Sequence, residues 1–299
     1  MPPATEISEL AVTIKPSLSS SELDDVAALI AEAQWNQVAA DWRVFLALGR
    51  LYAATTPSGR IVATTATLPY GGRFAWISMV LVAGSYRRRG LATLLMRRAI
   101  DELVAGGLVP LLDATPAGRA VYRALGFADC WSFGRLLRRD SPILPSPARA
   151  GGLARGVTVR AICDADWPQL RAFDATAFGA ERNAVLAGLR GRLRCAELVA
   201  ETTGRIVGFM LGRDGRLASH LGPLIAESDD IAEALLARAV CDTAGPLFID
   251  VADKKSATKT FLQQQGFMVS RPFTRMAYGG AIRFDDPART YAVVGPEFG

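Results

Sequence analysis

An internal duplication constrains the fold of this 299-residue chain more than any other feature. Four short segments recur in the same order: Val12–Lys15 as Val157–Arg160, Ser58–Ala63 as Thr203–Gly208, Leu91–Ile100 as Ile231–Val240, and Gly126–Phe127 as Gly266–Phe267. The first two pairs are separated by 145 positions and the last two by 140. Such a period is far longer than that of a solenoid, so we predict two copies of one domain. We place the loss of five residues in the hairpin around Tyr70–Arg73.

Within each copy, hydrophobic periodicity alternates between the spacings of strands and helices, which predicts a mixed α/β fold. The expected elements of the first copy are strands at 12–15, 51–55, 61–68, 74–82 and 109–112, helices at 22–31, 41–48, 91–103 and from Pro116, and a final pair of strands near 131–137. We predict an N-terminal domain at 1–140, a Pro/Gly/Ala-rich linker at 141–155, a second domain at 156–280 and a tail at 281–299. For the tail, a strand and a segment folded back over a domain both stay open.

Composition excludes several classes of protein. The net charge of +5 and pI near 9.2 suit an anionic small molecule, whereas nucleic acid usually requires a denser basic stripe. The four widely spaced cysteines and the single histidine, His220, give no metal signature and no Cys-His or Ser-His-Asp arrangement. We see no signal peptide and no apolar stretch long enough to cross a membrane, so we expect a soluble, cytoplasmic protein.

One strand-to-helix turn has the features of an anion site. The apolar run Ile77–Val82 leads into a basic loop, and Ala92, Leu95, Met96, Ala99, Ile100 and Leu103 then recur at helical spacing. A helix N-terminus offers unpaired backbone N–H groups and a favourable dipole for a phosphate. Arg87, Arg88 and Arg89 add positive charge, and Gly90 lets a ligand approach the backbone. An ordinary basic surface turn is the alternative that the residues alone leave open.

The pattern Arg87-x-x-Gly90-x-Ala92, after a strand and at the start of a helix, resembles the coenzyme A pyrophosphate loop of the GNAT N-acetyltransferase superfamily. Downstream, the Pro116 helix with Tyr122 and a closing Gly126-Phe127 is similar to the next helix of that superfamily. The resemblance implies two tandem GNAT-like α/β domains. Each would be a mostly antiparallel mixed sheet flanked by helices, with a splayed central strand pair.

The second copy has lost the features that carry this resemblance. At the offset of 140, Arg87–Gly90 corresponds to Glu227–Asp230, and Tyr122 corresponds to Leu262. Carboxylates suit a helix N-terminus but repel a pyrophosphate at close range. The second half still resembles the C-terminal domain of a bacterial tandem-GNAT group, in the segments Phe178–Arg182, Leu221–Leu224 and Thr274–Met276. We therefore expect one working site, in the first half, beside a degenerate second domain.

By resemblance, acetyl-CoA is the co-substrate, and no metal is expected. Backbone groups of Leu81 and Val82 would hold the pantetheine arm and polarise the thioester carbonyl. The residues expected to bind the pyrophosphate are Arg87, Arg88, Arg89, Gly90, Leu91, Ala92 and Thr93. Tyr122 would be the general acid that protonates the departing thiolate. It lies just off the apolar stripe of its helix, and a tyrosine packed on the sheet with its hydroxyl capped is the competing interpretation.

The general base is not evident, because the strand Phe74–Val82 carries no Asp or Glu. Ser78, Asp41 and Asp113 are the alternatives, and a surface or capping role competes for each. Several further residues are candidates for the acceptor pocket or for ordinary structural roles: Trp42, Phe45 and Trp76, for which we favour core packing; His220, for which we favour a structural role; and Arg182 and Arg275, which would pair with an acidic substrate if they faced an interdomain cleft.

These observations predict an N-acetyltransferase that moves acetyl from acetyl-CoA to a primary amine of a small molecule by direct attack in a ternary complex. No cysteine lies in a motif that suggests an acyl-enzyme. The alternatives are transfer to a cysteinyl amine, as in mycothiol synthase, and a non-catalytic acyl-CoA sensor. We expect a monomer that is a pseudo-dimer of two domains, or a weak homodimer, with no nucleic-acid or membrane partner. The identity of the amine stays open.

Overall fold

The computed structural model describes residues 13–15, 17–19, 22–139 and 156–299. In these ranges the α-helices are α1 (Leu23–Glu32), α2 (Ala39–Leu48), α3 (Leu91–Ala105), α4 (Pro116–Ala124), α5 (Trp167–Phe178), α6 (Asn183–Leu189), α7 (Asp229–Asp242) and α8 (Ser256–Gln264). The strands are β1 (Thr13–Lys15), β2 (Arg50–Thr55), β3 (Ile61–Tyr70), β4 (Phe74–Val82), β5 (Val109–Ala114), β6 (Phe127–Arg138), β7 (Val157–Ala161), β8 (Leu198–Thr202), β9 (Arg205–Arg213), β10 (Ser219–Ala226), β11 (Leu247–Ala252), β12 (Met268–Tyr278) and β13 (Thr290–Ala292).

The mixed α/β fold expected from the sequence is confirmed, and most elements of the first copy lie within a few residues of their predicted bounds. The expected pair of strands near 131–137 is wrong, because one long strand, β6, runs from Phe127 to Arg138. It stays extended because it pairs with β12 along almost its whole length, and from Phe133 onward also with β11 on its other side. The predicted linker at 141–155 lies outside the described residues.

Local sequence explains the two helices that flank the expected site. The apolar positions of α3 that were read as one face are buried except for Ala92, which is half-buried, and Leu95 and Ala99 are fully inaccessible. The helix α4 begins with Pro116 at its first position, where no backbone donor is required. The Thr115 hydroxyl accepts a hydrogen bond from the Gly118 amide at 3.3 Å and so caps the same end.

All thirteen described strands form one sheet, in the order β1-β2-β3-β4-β5-β12-β6-β11-β13-β10-β9-β8-β7. The two copies exchange their last strands. The strand β12 of the second copy pairs with β5 of the first, with Met276 opposite Leu112, while β6 of the first copy pairs with β11 of the second, with Ile249 opposite Leu136. The predicted division into domains at 1–140 and 156–280 therefore stays a prediction about where the two copies begin and end. The strand pairing does not follow that division, because β6 and β12 each pair with strands of the other copy.

The central strands splay apart in both copies. In the first copy, β4 and β5 pair only from Phe74 to Trp76, and the strands diverge beyond that point. In the second copy, β10 and β11 pair only from Ser219 to Leu221. There the tail strand β13 fills the gap, with Ala292 opposite both Leu224 and Val251. One splayed cleft is thus open to a ligand, and the other contains the chain's own tail.

The strand registers show where the second copy is shorter. In the first copy Ala63 pairs with Val82, and in the second the equivalent Gly208 pairs with Ala226. Ala63 and Gly208 are 145 positions apart, whereas Val82 and Ala226 are 144 apart, so the second hairpin is only one residue shorter than the first. The remaining loss, to an offset of 140, falls between β10 and α7. Our placement of all five missing residues in the hairpin around Tyr70–Arg73 is therefore wrong. The shortened segment is the loop that corresponds to the predicted anion site.

No helix in the described part of the chain is both long and apolar enough to span a bilayer.

Candidate active site

A cavity of about 190 Å³ lies where β4 and β5 diverge. Both copies contribute to its wall. The first copy supplies Ile77–Val80 of β4, Asp113 of β5 and Tyr122 of α4, and the second supplies Arg271 and Phe273 of β12. The tail supplies Pro296 and Glu297. The strand exchange and the tail together therefore turn an open cleft of the first copy into a partly enclosed cavity.

A bulge in β4 shapes the cavity wall. Ser78 pairs with Ala66 and Leu81 with Thr64, so that Met79 and Val80 lie opposite one residue of β3. Met79 has a φ of 54°, an uncommon backbone conformation for a residue with a side chain, and the Thr64 hydroxyl donates to its carbonyl at 2.8 Å. Beyond Trp76, no described strand pairs with β4 on the side of β5. Backbone polar groups are thus available along the cleft.

The structure places Leu81 and Val82 at the end of β4, paired with β3 and next to the basic loop. They lie outside the lining of the cavity, which is made by the preceding residues Ile77–Val80. Sequence reasoning did not place Ile77–Val80 at the cavity, because the bulge in β4 that determines their position has no recognisable pattern in the sequence. The two predicted residues and the cavity lining therefore lie in succession along the same strand.

The basic loop supports an anion site at the start of α3. Gly90 is the residue that precedes the helix, with a φ of 83°, and no side chain caps the first turn. The first intrahelical bond runs from the Leu94 amide to the Gly90 carbonyl at 2.9 Å. The amides of Leu91, Ala92 and Thr93 therefore have no acceptor within the helix. These donors and the adjacent arginines fit the pyrophosphate of coenzyme A.

The three arginines differ in their contacts. Arg87 turns back on its own loop: its Nε donates to the Val82 carbonyl at 3.1 Å, and its Nη2 lies 3.6 Å from the Glu32 carboxylate. Arg89 lies over the ring of Tyr86 at 5.6 Å. Arg88 and Arg89 are exposed, and neither pairs with a carboxylate in the described residues. Arg87 therefore braces the loop, while the other two leave their charge available to a ligand.

Tyr122 lines the cavity with its ring folded back over α4. A Cβ at Gly118 would lie only 2.8 Å from its Cε2, so the glycine leaves the space that the ring occupies. No hydrogen bond to the hydroxyl is found in the described residues, which disfavours the interpretation of a capped structural tyrosine. Burial raises the pKa of Tyr122 to about 12, so the hydroxyl is a neutral donor at physiological pH.

A buried network of charges lies beside the cavity. Arg213 is fully buried and pairs with Glu297 and, at 3.0 Å, with Asp41. His220 lies between the Arg213 guanidinium, 3.2 Å from its Nδ1, and Asp250, 3.2 Å from its Nε2. Burial lowers the pKa of His220 more than Asp250 raises it, so the imidazole is neutral at pH 7. The structural role that we expected for His220 fits this position.

The tail both forms a strand and folds back over the first copy, so both alternatives left open from the sequence are found. After β13, Trp76 Nε1 donates to the Pro296 carbonyl at 3.0 Å and the Tyr70 hydroxyl to the Phe298 carbonyl at 2.8 Å. The Phe298 ring stacks on Phe45 with centroids 5.2 Å apart. Arg182 Nη1 donates to the Gly299 carbonyl at 2.8 Å. These contacts fix the tail on both sides of Glu297.

The remaining pocket candidates have structural contacts. Trp42, Phe45 and Trp76 are buried in the core, as favoured from the sequence. The expectation that Arg182 and Arg275 pair with a substrate does not fit their contacts, because both are buried and already paired. Arg182 binds Asp174 through two hydrogen bonds, and Arg275 binds Asp113 through two more at 3.0 Å.

The three candidates for the base have different environments. Ser78 lines the cavity, and its Oγ is buried without a hydrogen-bond partner in the described chain. Asp113 also lines it, with both carboxylate oxygens bound by Arg275, and burial raises its pKa to about 6 despite that cation. Asp41 does not line it. It accepts from the Val38 amide at 2.9 Å at the start of α2, as a capping role predicts.

At the corresponding place in the second copy, only Glu227 and Ser228 connect β10 to α7. The Ser228 hydroxyl accepts from the Ile231 amide at 3.4 Å and caps the helix. Asp229 accepts from the Tyr291 hydroxyl of the tail at 2.7 Å, and Glu227 pairs with Arg205 at 2.5 Å. The groups that could bind an anion in the first copy are thus replaced by carboxylates bound to the protein itself.

Comparisons with known proteins agree with this geometry. A family model described as "Acetyltransferase (GNAT) family" matches residues 17–127, and one described as "Acetyltransferase (GNAT) domain" matches residues 170–292. The chain is 26% identical over 220 residues to the uncharacterized N-acetyltransferase YitH of Bacillus subtilis, which covers 73% of this chain and 74% of the relative.

Solved structures show the same fold. A putative acetyltransferase from Pyrococcus horikoshii matches with a TM-score of 0.76 at 20% identity, over 97% of this chain and 96% of that one. A GCN5-related N-acetyltransferase from Sphaerobacter thermophilus matches with a TM-score of 0.66 at 17% identity, over 92% and 99%. A tandem GNAT protein from the clavulanic acid biosynthesis pathway matches with a TM-score of 0.63 at 14% identity, over 91% and 100%.

Proposed function

Since the chain belongs to the GNAT superfamily and is an acetyltransferase with two such domains in tandem, we propose that it acetylates a primary amine of a small molecule at a single site in the first copy. The reaction would be a direct attack by the amine in a ternary complex with acetyl-CoA. The observation that carries this proposal is the contrast between the two splayed clefts. The first opens into a cavity lined by Tyr122, and the second is filled by β13.

The first copy would hold the co-substrate along a continuous path. The free amides of Leu91–Thr93, with Arg88 and Arg89, would bind the pyrophosphate at the start of α3. Leu81 and Val82 would flank the pantetheine arm, and the unpaired backbone of Ile77–Val80 would polarise the thioester carbonyl. The acidic loop of the second copy would not bind a second molecule.

Acetyl-CoA would supply an activated acetyl thioester. As the acceptor nitrogen forms the new C–N bond and the C–S bond breaks, an ammonium acceptor gives up two protons, one of which ends on the sulfur. The Tyr122 hydroxyl would donate a hydrogen bond to that sulfur. That proton would pass to the departing thiolate. The resulting phenolate, whose conjugate acid has a pKa of about 12 against about 8.5 for an ordinary thiol, would then regain a proton from water.

The cavity also bears on the acceptor. Arg271 lies at the cavity, is exposed and has no acidic partner in the described residues. An amine panel should therefore include molecules with and without a carboxylate: n-butylamine, phenethylamine, lysine, glucosamine and a cysteinyl amine.

A monomer that acts as its own pseudo-dimer accounts for the exchange of β6 and β12 within one chain, since each copy completes its sheet with the other's last strand.

Two measurements test the proposal. Acetyl-CoA should raise the melting temperature of the parent protein, and absence of a shift would refute the assignment of the co-substrate. Release of free thiol in the presence of the amine panel should then show turnover. Binding without amine-dependent thiol release across the whole panel would favour the sensor.

A further inference from the structure

Three buried polar atoms in the cavity wall have no hydrogen-bond partner in the described chain: Glu297 Oε2, Gln37 Oε1 and Ser78 Oγ. Glu297 is only 2% exposed. Buried polar atoms in native proteins are nearly always hydrogen-bonded, and an exception requires an explanation. Three exceptions around one cavity mark its wall as a place where a bound ligand, or the water that it displaces, supplies the missing partners.

The chemistry of these atoms defines the ligand. A carboxylate oxygen and an amide oxygen only accept hydrogen bonds, and a serine hydroxyl also accepts them. A ligand that satisfies all three must therefore donate several hydrogen bonds from one place. A primary ammonium group has three N–H donors and a positive charge that complements the carboxylate. The wall is suited to the protonated form of a primary amine.

The surroundings of Glu297 orient its carboxylate for this role. Its Oε1 binds Arg213, which also pairs with Asp41, so one guanidinium is shared by two buried carboxylates. That ion pair fixes Glu297 while Oε2 stays free. Asp113, the other carboxylate of the cavity, differs because both of its oxygens are bound by Arg275. Glu297 is thus the acidic residue of the cavity with an oxygen left for a ligand.

We propose that Glu297, delivered by the C-terminal tail, binds the acceptor ammonium and acts as the general base of the first site. This inference rests on the proposed function and adds the residue that the strand Phe74–Val82 lacks. Oε2 takes one proton from the ammonium, and the freed lone pair of the nitrogen forms the C–N bond as the C–S bond breaks. The nitrogen then loses its second proton and the sulfur gains one, so that the products are an amide and a thiol. Glu297 returns the proton it took to water.

The first test is the pH dependence of kcat/KM for the best acceptor in Glu297→Gln. The variant keeps the shape and the hydrogen-bonding capacity toward Arg213 but cannot take a proton. We expect kcat/KM to fall by at least about 100-fold at pH 7. Because the variant reacts only with amine already neutral in solution, its kcat/KM should rise about tenfold per pH unit from pH 6 to 8, more steeply than in the parent. Glu297→Asp, which keeps the charge, should recover part of the loss.

The matched control is Asp41→Asn, which removes the other carboxylate of Arg213 without touching the cavity. It should lower the melting temperature but keep the parent's pH profile. If Glu297→Gln has the parent's kcat/KM and profile, the inference is wrong. It is also wrong if Asp41→Asn reproduces the profile of Glu297→Gln, since the effect would then belong to the ion-pair network.

A second readout needs no acetyl-CoA. At pH 7, n-butylammonium at near-saturating concentration should raise the melting temperature of the parent by about 2 °C or more and leave that of Glu297→Gln unchanged. Equal shifts in both proteins, or no shift in the parent, would overturn the inference. A parent that shows this shift but neither binds nor turns over acetyl-CoA would instead refute the proposed function, so the two failures are distinguishable.

Discussion

Gly118→Ala should lower activity without lowering stability. The added Cβ would lie 2.8 Å from Cε2 and 3.4 Å from Cζ of Tyr122. Carbon atoms pack at about 3.5 to 4.0 Å, so the ring has to move by roughly 1 Å, and the hydroxyl moves with it. A displacement of about 1 Å in a catalytic group can cost about 100-fold in rate. Meanwhile, alanine is favoured over glycine in a helix by up to about 1 kcal/mol.

The assay is kcat by thiol release, with the melting temperature measured on the same preparations. We expect Gly118→Ala to lose about 100-fold in kcat and to melt at or above the temperature of the parent. The double variant with Tyr122→Phe provides the control, because a glycine that acts only through the tyrosine has nothing further to disturb once the hydroxyl is absent. Full activity in Gly118→Ala would refute the argument that the position of the Tyr122 hydroxyl determines kcat. So would a double variant whose loss in kcat is the product of the two single losses.

Three further predictions concern the loop, the acid and the tail. Arg89→Ala should reduce the thermal shift given by acetyl-CoA, whereas Glu227→Gln, at the corresponding place in the second copy, should leave it unchanged; equal effects would contradict a single site. Because the pKa of Tyr122 is raised to about 12, its protonated form contributes stability that is complete below its unfolded pKa near 10 and lost as pH rises toward 12; the free energy of unfolding of the parent should fall more over pH 10–12 than that of Tyr122→Phe. Phe298→Ala removes a fully buried ring stacked on Phe45 and should lower the free energy of unfolding by about 3 to 5 kcal/mol in denaturant titration, and a loss below about 1 kcal/mol would show that the tail is not anchored there.

The parts of the site that the sequence predicts are local. Gly90, the arginines and the helix behind them lie within one strand–loop–helix unit, where spacing along the chain determines spacing in the structure. Tyr122 stands out because it lies just off the apolar stripe of its own helix. In these segments the sequence specifies both the secondary structure and the chemistry, and the elements were placed to within a few residues.

Glu297 was not predictable, for two physical reasons. Nearly every residue from Thr290 to Gly299 is buried, so the tail has no exposed face and therefore no hydrophobic period. In addition, the sequence of a repeat does not determine whether its last strand pairs within its own copy or with the other copy. The strands β6 and β12 come from equivalent segments, and the same alternation of side chains satisfies pairing with either copy. The pairing with the other copy is what brings Arg271 and Phe273 of β12 to the cavity wall.

The tail also explains why the second copy could lose its anion loop without losing its place in the fold. A splayed strand pair leaves backbone groups unpaired, and those groups require partners when they are buried. In the first copy a ligand can supply them; in the second, β13 does, and Tyr291 binds the acidic residue at the start of α7. Once a strand of the chain fills that cleft, positive charge in its loop has no ligand to bind, and carboxylates that cap the helix are favoured instead. The same strand directs the last residues, including Glu297, to the first copy. Under the proposed function, the duplication would therefore yield one site rather than two, because the second cleft anchors the segment that lies at the first.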